Sequence, residues 1–286
     1  MLARDYDVAA SGRDYDVRKP DRLRDLIEKC SPDEVVHLAS VTTLGESFGD
    51  PDETYRIIFW GTLNLLKALR ASRFTGRMVF VGSSEVYGAF PVSDLPLTEL
   101  QPLRPRSPYA VGKIAAEALC YQWSQTADFE IVAARPFNHI GPGQSERFAI
   151  SEFARQVVLI KAGATEPVIR VGNIDTTRDF TDVRDVVSAY FLLLCRGNNG
   201  EVYNVCSGRE LTVRSLIVRM CDLADVKVEL RDDPGRFRSS EQQRNFGSNA
   251  KLAAATGWTL KYSIDQTLSD ILADWEVRLR ASGSTY

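Results

Sequence analysis

RMVFVGSSEVYG runs from Arg77 to Gly88, and SPYAVGK from Ser107 to Lys113. The first stretch is a short apolar run that ends in small polar residues and a glycine, which predicts a buried strand opening into a turn. The second starts a helical pattern in which Tyr109 and Lys113 stand four apart, and that spacing stacks them on one helix face. An ammonium beside a phenol favours the phenolate, so Lys113 is expected to lower the pKa of Tyr109 towards the range useful for proton transfer. Ser83, at the carboxyl end of its strand, can reach the same substrate oxygen.

Outward from these stretches, the apolar runs EVVHL (Glu34–Leu38) and EIVAA (Glu130–Ala134) are spaced by helical patterns near Glu53–Ser72 and Tyr109–Asp128. Strands alternating with helices argue for a parallel sheet covered on both faces. After Pro136 a loop rich in Gly, Pro and Asn leads into a helix at Phe148–Lys161, strand VIRV, a helix at Val183–Cys195 and strand VYNV. A helix at Val213–Ala224, strand VKVELR and a last helix at Ile264–Leu279 follow. The predicted fold class is α/β, a Rossmann-like doubly wound parallel sheet with a smaller C-terminal α/β substrate-binding cap. Residues 1–140 would be the dinucleotide-binding part and 141–286 mainly the substrate part, with some elements returning to the sheet. Ligands bind outside the carboxyl ends of such strands, so the cleft between sheet and cap is the expected site.

Composition narrows the function classes. The 286 residues are 44% hydrophobic, enough for a substantial core, and the net charge of -3 gives no field that would gather nucleic acid. No stretch approaches the ~20 apolar residues of a membrane span, and the N-terminus has no apolar targeting segment, so a cytoplasmic protein is expected. The five cysteines, Cys30, Cys120, Cys195, Cys206 and Cys221, form no CxxC pair and lie in or beside apolar runs, which reads as reduced core thiols. The two histidines, His37 and His139, have no metal-ligand spacing, and no metal is expected.

YxxxK alone is weak, because a packed ring beside a solvated amine has the same spacing. The order of GSSEVYG, SPYAVGK and ARPFNHIGPGQ is far more restrictive. In these motifs the chain resembles the extended short-chain dehydrogenase/reductases, the NAD-dependent epimerase/dehydratase family, from Tyr6 to Trp275. VGNIDTTRDFTDVRD (Val171–Asp185), YNVCSG, RSSEQQRNFGSNAKL and TGW look like that family's GDP-mannose branch, and are most similar to its GDP-4-dehydro-6-deoxy-D-mannose reductases.

The resemblance implies roles. Ser83, Tyr109 and Lys113 would be catalytic. Arg13, Asp16, Val17, Leu38, Ala39, Pro136 and Phe137 would flank the cofactor together with Tyr109 and Lys113. Ser84, Glu85, Asn138, Arg155, Arg178, Arg238 and Glu241 would join Ser83 against the GDP-sugar. Guanidinium groups suit a pyrophosphate because their forked donors stay charged. The competing structural readings make Arg178–Asp179 a surface ion pair, Asp182 a helix cap, Arg155 a solvated residue and His37 a strand-closing one. Arg13, after the second strand, favours NADPH over NADH. Helices Glu53–Ser72 and Tyr109–Asp128, with Trp60, Leu63 and Leu119, are expected to form a homodimer interface or that of a dimer of dimers.

The implied activity is reduction of a GDP-linked 4-keto-6-deoxy-hexose to GDP-rhamnose with NADPH. Two alternatives stay open: a GDP-mannose 4,6-dehydratase or related epimerase, and a silent GDP-sugar binder. Glu85 occurs in dehydratases too, whereas IGPGQSERF, where dehydratases carry an Arg-Arg-Gly run, and Ser83 in place of their Thr favour the reductase. Two departures stand out. No G-x-G-x-x-G turn exists to hold a pyrophosphate at a helix N-terminus. The first strand, glycine loop and first helix are therefore expected to be missing, through a downstream start or a truncated gene, and the chain as written is expected to hold NADPH poorly. Ile58 stands where the family places an Asn.

Overall fold

The computed structural model describes residues 7–10, 15–41, 44–236 and 242–281. The parallel sheet at its centre has four strands, β1 (Glu34–His37), β2 (Arg77–Val81), β3 (Glu130–Pro136) and β7 (Val202–Val205), in the order β1-β2-β3-β7. Alternation splits its side chains between two faces. Met78, Phe80, Ile131 and Ala133 face helices α1 (Pro20–Cys30), α4 (Gly61–Ala71) and α5 (Pro108–Ser124). Val79, Val81, Val132 and Ala134 face α7 (Val183–Arg196) and α9 (Ala250–Thr256). Both faces are dry, which is why these strands read as unbroken apolar runs.

A second core joins α6 (Ala149–Lys161), α8 (Val213–Ala224) and α10 (Ile264–Ala281) through Phe153, Val157, Leu216, Met220, Leu268 and Trp275. Strand β5 (Val168–Val171) pairs with β9 (Glu229–Asp232) beside it. Between the two cores a small sheet forms around β6 (Thr177–Asp182). That strand pairs with β4 (Asn138–Ile140), β8 (Glu210–Thr212) and β10 (Arg244–Asn245). Strand β7, α7 and α9 come from the C-terminal half yet pack on the central sheet.

Three expectations need correction. A strand was expected to end before Arg13, but described residues 7–10 and 15–19 carry none, and among the described residues β1 pairs with β2 alone. A strand exists by its ladder, and no described strand pairs with residues 7–10 or 15–19. The helix expected at Glu53–Ser72 is a continuous run built from α3 (Pro51–Tyr55), a π-helical turn at Arg56–Trp60 and α4, preceded by α2 (Leu44–Gly49). Of the cysteines, Cys120, Cys206 and Cys221 are buried, Cys30 is half-buried and Cys195 is exposed. Cys195 follows Leu193 and Leu194, which α7 buries, so it turns outward.

Candidate active site

Ser83 and Tyr109 arrive by two local devices. Gly82 donates its N–H to Ala134 O at 2.7 Å, which carries the chain past the end of β2. Ser83 then caps a single 3-10 turn, Ser84–Tyr87, its hydroxyl accepting from Glu85 N at 3.2 Å. Ser107 caps α5 by accepting from Ala110 N at 3.1 Å, with Pro108 at the first helical position, where its missing N–H costs nothing. Tyr109 therefore sits in the first turn of α5, at the carboxyl edge of the sheet.

Lys113, one turn further on, is 2% exposed and donates through Nζ to Val81 O at 2.6 Å. Its Nζ lies 5.7 Å from the Tyr109 ring centroid and 5.4 Å from that of Phe80. Burial lowers the Lys113 pKa to about 8. The expectation that Lys113 depresses the Tyr109 pKa is not met. Burial raises the Tyr109 pKa above its ordinary value of 10.0, opposed by hydrogen bonding to Ser83 and Ser40, while Glu85 adds to the rise. The ammonium is spent on a backbone carbonyl, and the phenol keeps its proton at neutral pH.

At the carboxyl end of β1, Leu38 is 62% exposed and Ala39 is exposed too, an apolar ledge that packing leaves open. Beside them the buried Ser40 Oγ lies towards the Tyr109 hydroxyl. Pro136 and Phe137 are buried at the end of β3, and Asn138 is exposed where β4 begins. Asp16 binds Arg18, and Asn64 fixes Val17 by donating to its carbonyl at 3.0 Å. Hydrogen bonding to Arg18 brings the Asp16 pKa down to about 2.

Arg178 is half-buried on β6, where it pairs with Asn245 of β10 and Leu211 of β8. Its Nη1 donates to the carbonyls of Thr177 and Gln242 at 2.8 and 2.9 Å. It is not half of a surface pair with Asp179, which is wholly buried and accepts from Ser207 N, Ser207 Oγ and Gly208 N. Arg155, on α6, is half-buried and meets Glu146 at 3.0 Å. Asp182 does cap α7, accepting from Arg184 N at 2.8 Å. His37 is buried, and its Nε2 lies 3.0 Å from Thr62 Oγ1. Arg13, Arg238 and Glu241 lie outside the described residues.

Ile58, in the π-helical turn, is 1% exposed. A Cβ placed on Gly112 would come within 3.4 Å of it, so α5 approaches this turn at ordinary packing distance. The Ile58 carbonyl accepts from Thr62 Oγ1 at 2.6 Å. The position that would hold an amide is a dry helix–helix contact. Sequence reasoning missed Glu117 and Arg135, which form a buried ion pair behind this site. Each bears a mark in the sequence, Glu117 four residues past Lys113 and Arg135 within an apolar strand, but nothing there links the two.

The sequence profile of the GDP-mannose 4,6 dehydratase family matches residues 7–271. The chain belongs to this family. Within it, the chain is 48% identical to the GDP-6-deoxy-D-mannose reductase of Pseudomonas aeruginosa over 93% of its own length and 87% of that protein's. Identity to the GDP-mannose 4,6-dehydratase of Yersinia enterocolitica is 25%, over 90% of this chain and 77% of that one. Among solved structures, that of RMD from Pseudomonas aeruginosa complexed with NADPH superposes with a TM-score of 0.90 at 47% identity, covering 95% of this chain and 90% of that one. Among the described residues no cluster of three or more His, Cys, Asp or Glu side chains could hold a metal ion. Nor, among them, is any helix long and apolar enough to cross a membrane.

Proposed function

We propose that the protein reduces GDP-4-dehydro-6-deoxy-D-mannose to GDP-D-rhamnose with NADPH. The single observation that carries this is the contrast within one family, 48% identity to a reductase against 25% to a dehydratase. The residues at the nicotinamide end suit that cofactor. The exposed Leu38–Ala39 ledge offers an apolar surface, and the buried Ser40 Oγ a polar group beside Tyr109. When bound, NADPH supplies the hydride.

Tyr109 gives its proton to the oxygen at C4 of the sugar, a task its raised pKa suits because the phenol is neutral. Ser83 donates a hydrogen bond to the same oxygen, and Lys113 supplies a buried positive charge behind the pair. Asp16, Val17, Pro136 and Phe137 flank the cofactor, with Arg13 selecting NADPH. Arg178, Arg155, Arg238, Glu241, Asn138, Ser84 and Glu85 hold the GDP-sugar, Arg178 through charge-assisted contacts to phosphate oxygens. The division near residue 140 into cofactor and substrate parts belongs to the same proposal. So do a cytoplasmic location and a homodimer formed through the helical run 51–71 and α5, for which the 54% exposed Trp60 supplies apolar surface.

The test offers GDP-mannose and its 4-keto-6-deoxy derivative side by side with NADPH, using protein expressed from the whole reading frame. Oxidation of NADPH with the ketone alone supports the reading. Release of water from GDP-mannose without net NADPH oxidation replaces it with a dehydratase.

A further inference from the structure

One guanidinium group ties together the three segments that carry the reactive side chains. Arg135 lies on β3, directly before Pro136, Phe137 and Asn138, and is 4% exposed. Its Nε donates to Glu117 Oε2 at 2.9 Å and its Nη2 to Glu117 Oε1 at 2.5 Å, a two-pronged pair with fixed geometry. Glu117 stands four residues beyond Lys113 and eight beyond Tyr109, so the three side chains line one face of α5. The Nη1 of Arg135 donates to Tyr87 Oη at 3.0 Å. Tyr87 closes the turn that Ser83 opens, and its hydroxyl donates in turn to Asn204 Oδ1 on β7 at 2.6 Å.

The carboxylate also lies against the backbone that presents Ser83. A Cβ on Gly82 would sit 3.0 Å from Ala134 O, 3.5 Å from Glu117 Oε2 and 3.7 Å from Arg135 Cγ. A side chain here would press on Ala134 O and rest in ordinary contact with the ion pair. The pair has no solvent to relax into, with side-chain exposures of 5% and 9%. Burial opposes the charge on Arg135, yet hydrogen bonding and attraction to Glu117 keep its pKa above the ordinary guanidinium value. A buried ion pair is weak support for stability, because well-packed apolar residues often replace one at no loss. Its geometric exactness is what apolar residues cannot copy.

We infer that Arg135, Glu117 and Tyr87 are positioning residues, which fix the distance between Ser83 and the Tyr109–Lys113 face of α5. They touch no substrate. They act by holding β3, α5 and the 83–87 turn in one register, and their effect on turnover rests on the function proposed above. A displacement of about 1 Å between reacting groups lowers turnover by up to ~10²-fold while leaving ground-state binding largely intact.

Two variants test this. Tyr87→Phe removes one hydroxyl and leaves the ion pair. The double variant Glu117→Leu, Arg135→Met removes both charges together, so no uncompensated charge is left buried. Each is measured for kcat and KM in ketone reduction and for backbone hydrogen exchange in the free protein. Both should keep KM within about threefold and lose about 10–100-fold in kcat, with faster exchange confined to residues 82–87 and 107–117. If the double variant does not fold, Tyr87→Phe decides the matter. Wild-type kcat in a folded variant, or exchange unchanged in those two segments, would overturn the inference. A wild type that reduces no ketone removes the proposed function instead, and the exchange pattern still decides positioning.

Discussion

Lys113→Met should flatten a pH dependence of stability that the wild type carries. In the fold, burial lowers the Lys113 pKa from its ordinary 10.5 to about 8. The unfolded chain therefore holds the proton more tightly than the folded one across that interval. Stability contributed by Lys113 rises with pH, being complete above the unfolded value and lost as pH falls through the folded one. At about 1.4 kcal/mol per pH unit, the gap amounts to on the order of 3 kcal/mol, from a side chain only 2% exposed. Other groups titrate in the same window with the opposite sign. Burial pushes up Cys120, and it takes Tyr87 to about 12, so each loses stability as pH rises. The difference between wild type and variant cancels the Tyr87 contribution, and a Cys120→Ala background in both proteins removes that of Cys120, whose charge couples to Lys113. Urea unfolding of both proteins at half-unit steps from about pH 7 to pH 10 should show the wild type gaining on the variant by ~2–3 kcal/mol. A difference that stays level across the range would refute the burial of a charged ammonium at this position.

Tyr109→Phe should leave KM for the GDP-sugar nearly unchanged while kcat falls by at least ~10²-fold, the scale of a lost general acid, as steady-state kinetics will report. Arg178→Ala removes a contact made in both ground and transition states, so KM should rise by about 10–100-fold with little change in kcat; unaltered GDP affinity by calorimetry would contradict the role. Ile58→Ala should cost about 2–5 kcal/mol in chemical unfolding, because the side chain is 1% exposed and packs on Gly112, whereas a loss under 1 kcal/mol would mean the contact is loose. Trp60→Asp should shift sedimentation towards the monomer if the helical run 51–71 forms the dimer interface, and an unshifted boundary would remove that interface.

The parts of the fold most legible in the sequence were those whose local pattern and tertiary fate agree. Arg77–Val81 and Val213–Ala224 are bounded as expected, the first by an apolar run meeting Gly82, the second by a Thr212 cap and Asp225 in the left-handed region. Tyr109 and Lys113 lie on one helix face because periodicity alone dictates it. Periodicity could not give what the ammonium does there. Lys113 binds Val81 O, from a strand more than thirty residues earlier in the chain, and so leaves the phenol's pKa to burial. The strand expected before Arg13 is missing from the described residues for a related reason, since a strand depends on its neighbour as much as on its own residues. The surroundings of Arg178 were not legible, because Asp179 is drawn inward by Ser207 and Gly208 from another part of the chain. Glu117 and Arg135 were given no role from the sequence. Their pairing joins residues eighteen apart, which neither helical nor strand period connects.

The central claim is that hydride reaches C4 of the sugar while Tyr109 protonates the oxygen, and isotope transfer tests it most directly. NADPH deuterated at the transferable position of its nicotinamide is incubated with GDP-4-dehydro-6-deoxy-D-mannose and protein expressed from the whole reading frame. Nuclear magnetic resonance of the product should show deuterium at C4 of GDP-D-rhamnose, one equivalent for each NADPH oxidised, with Tyr109→Phe slowing its appearance. A sugar that gains no deuterium, whether the protein binds GDP without turnover or releases water from GDP-mannose instead, would contradict the account.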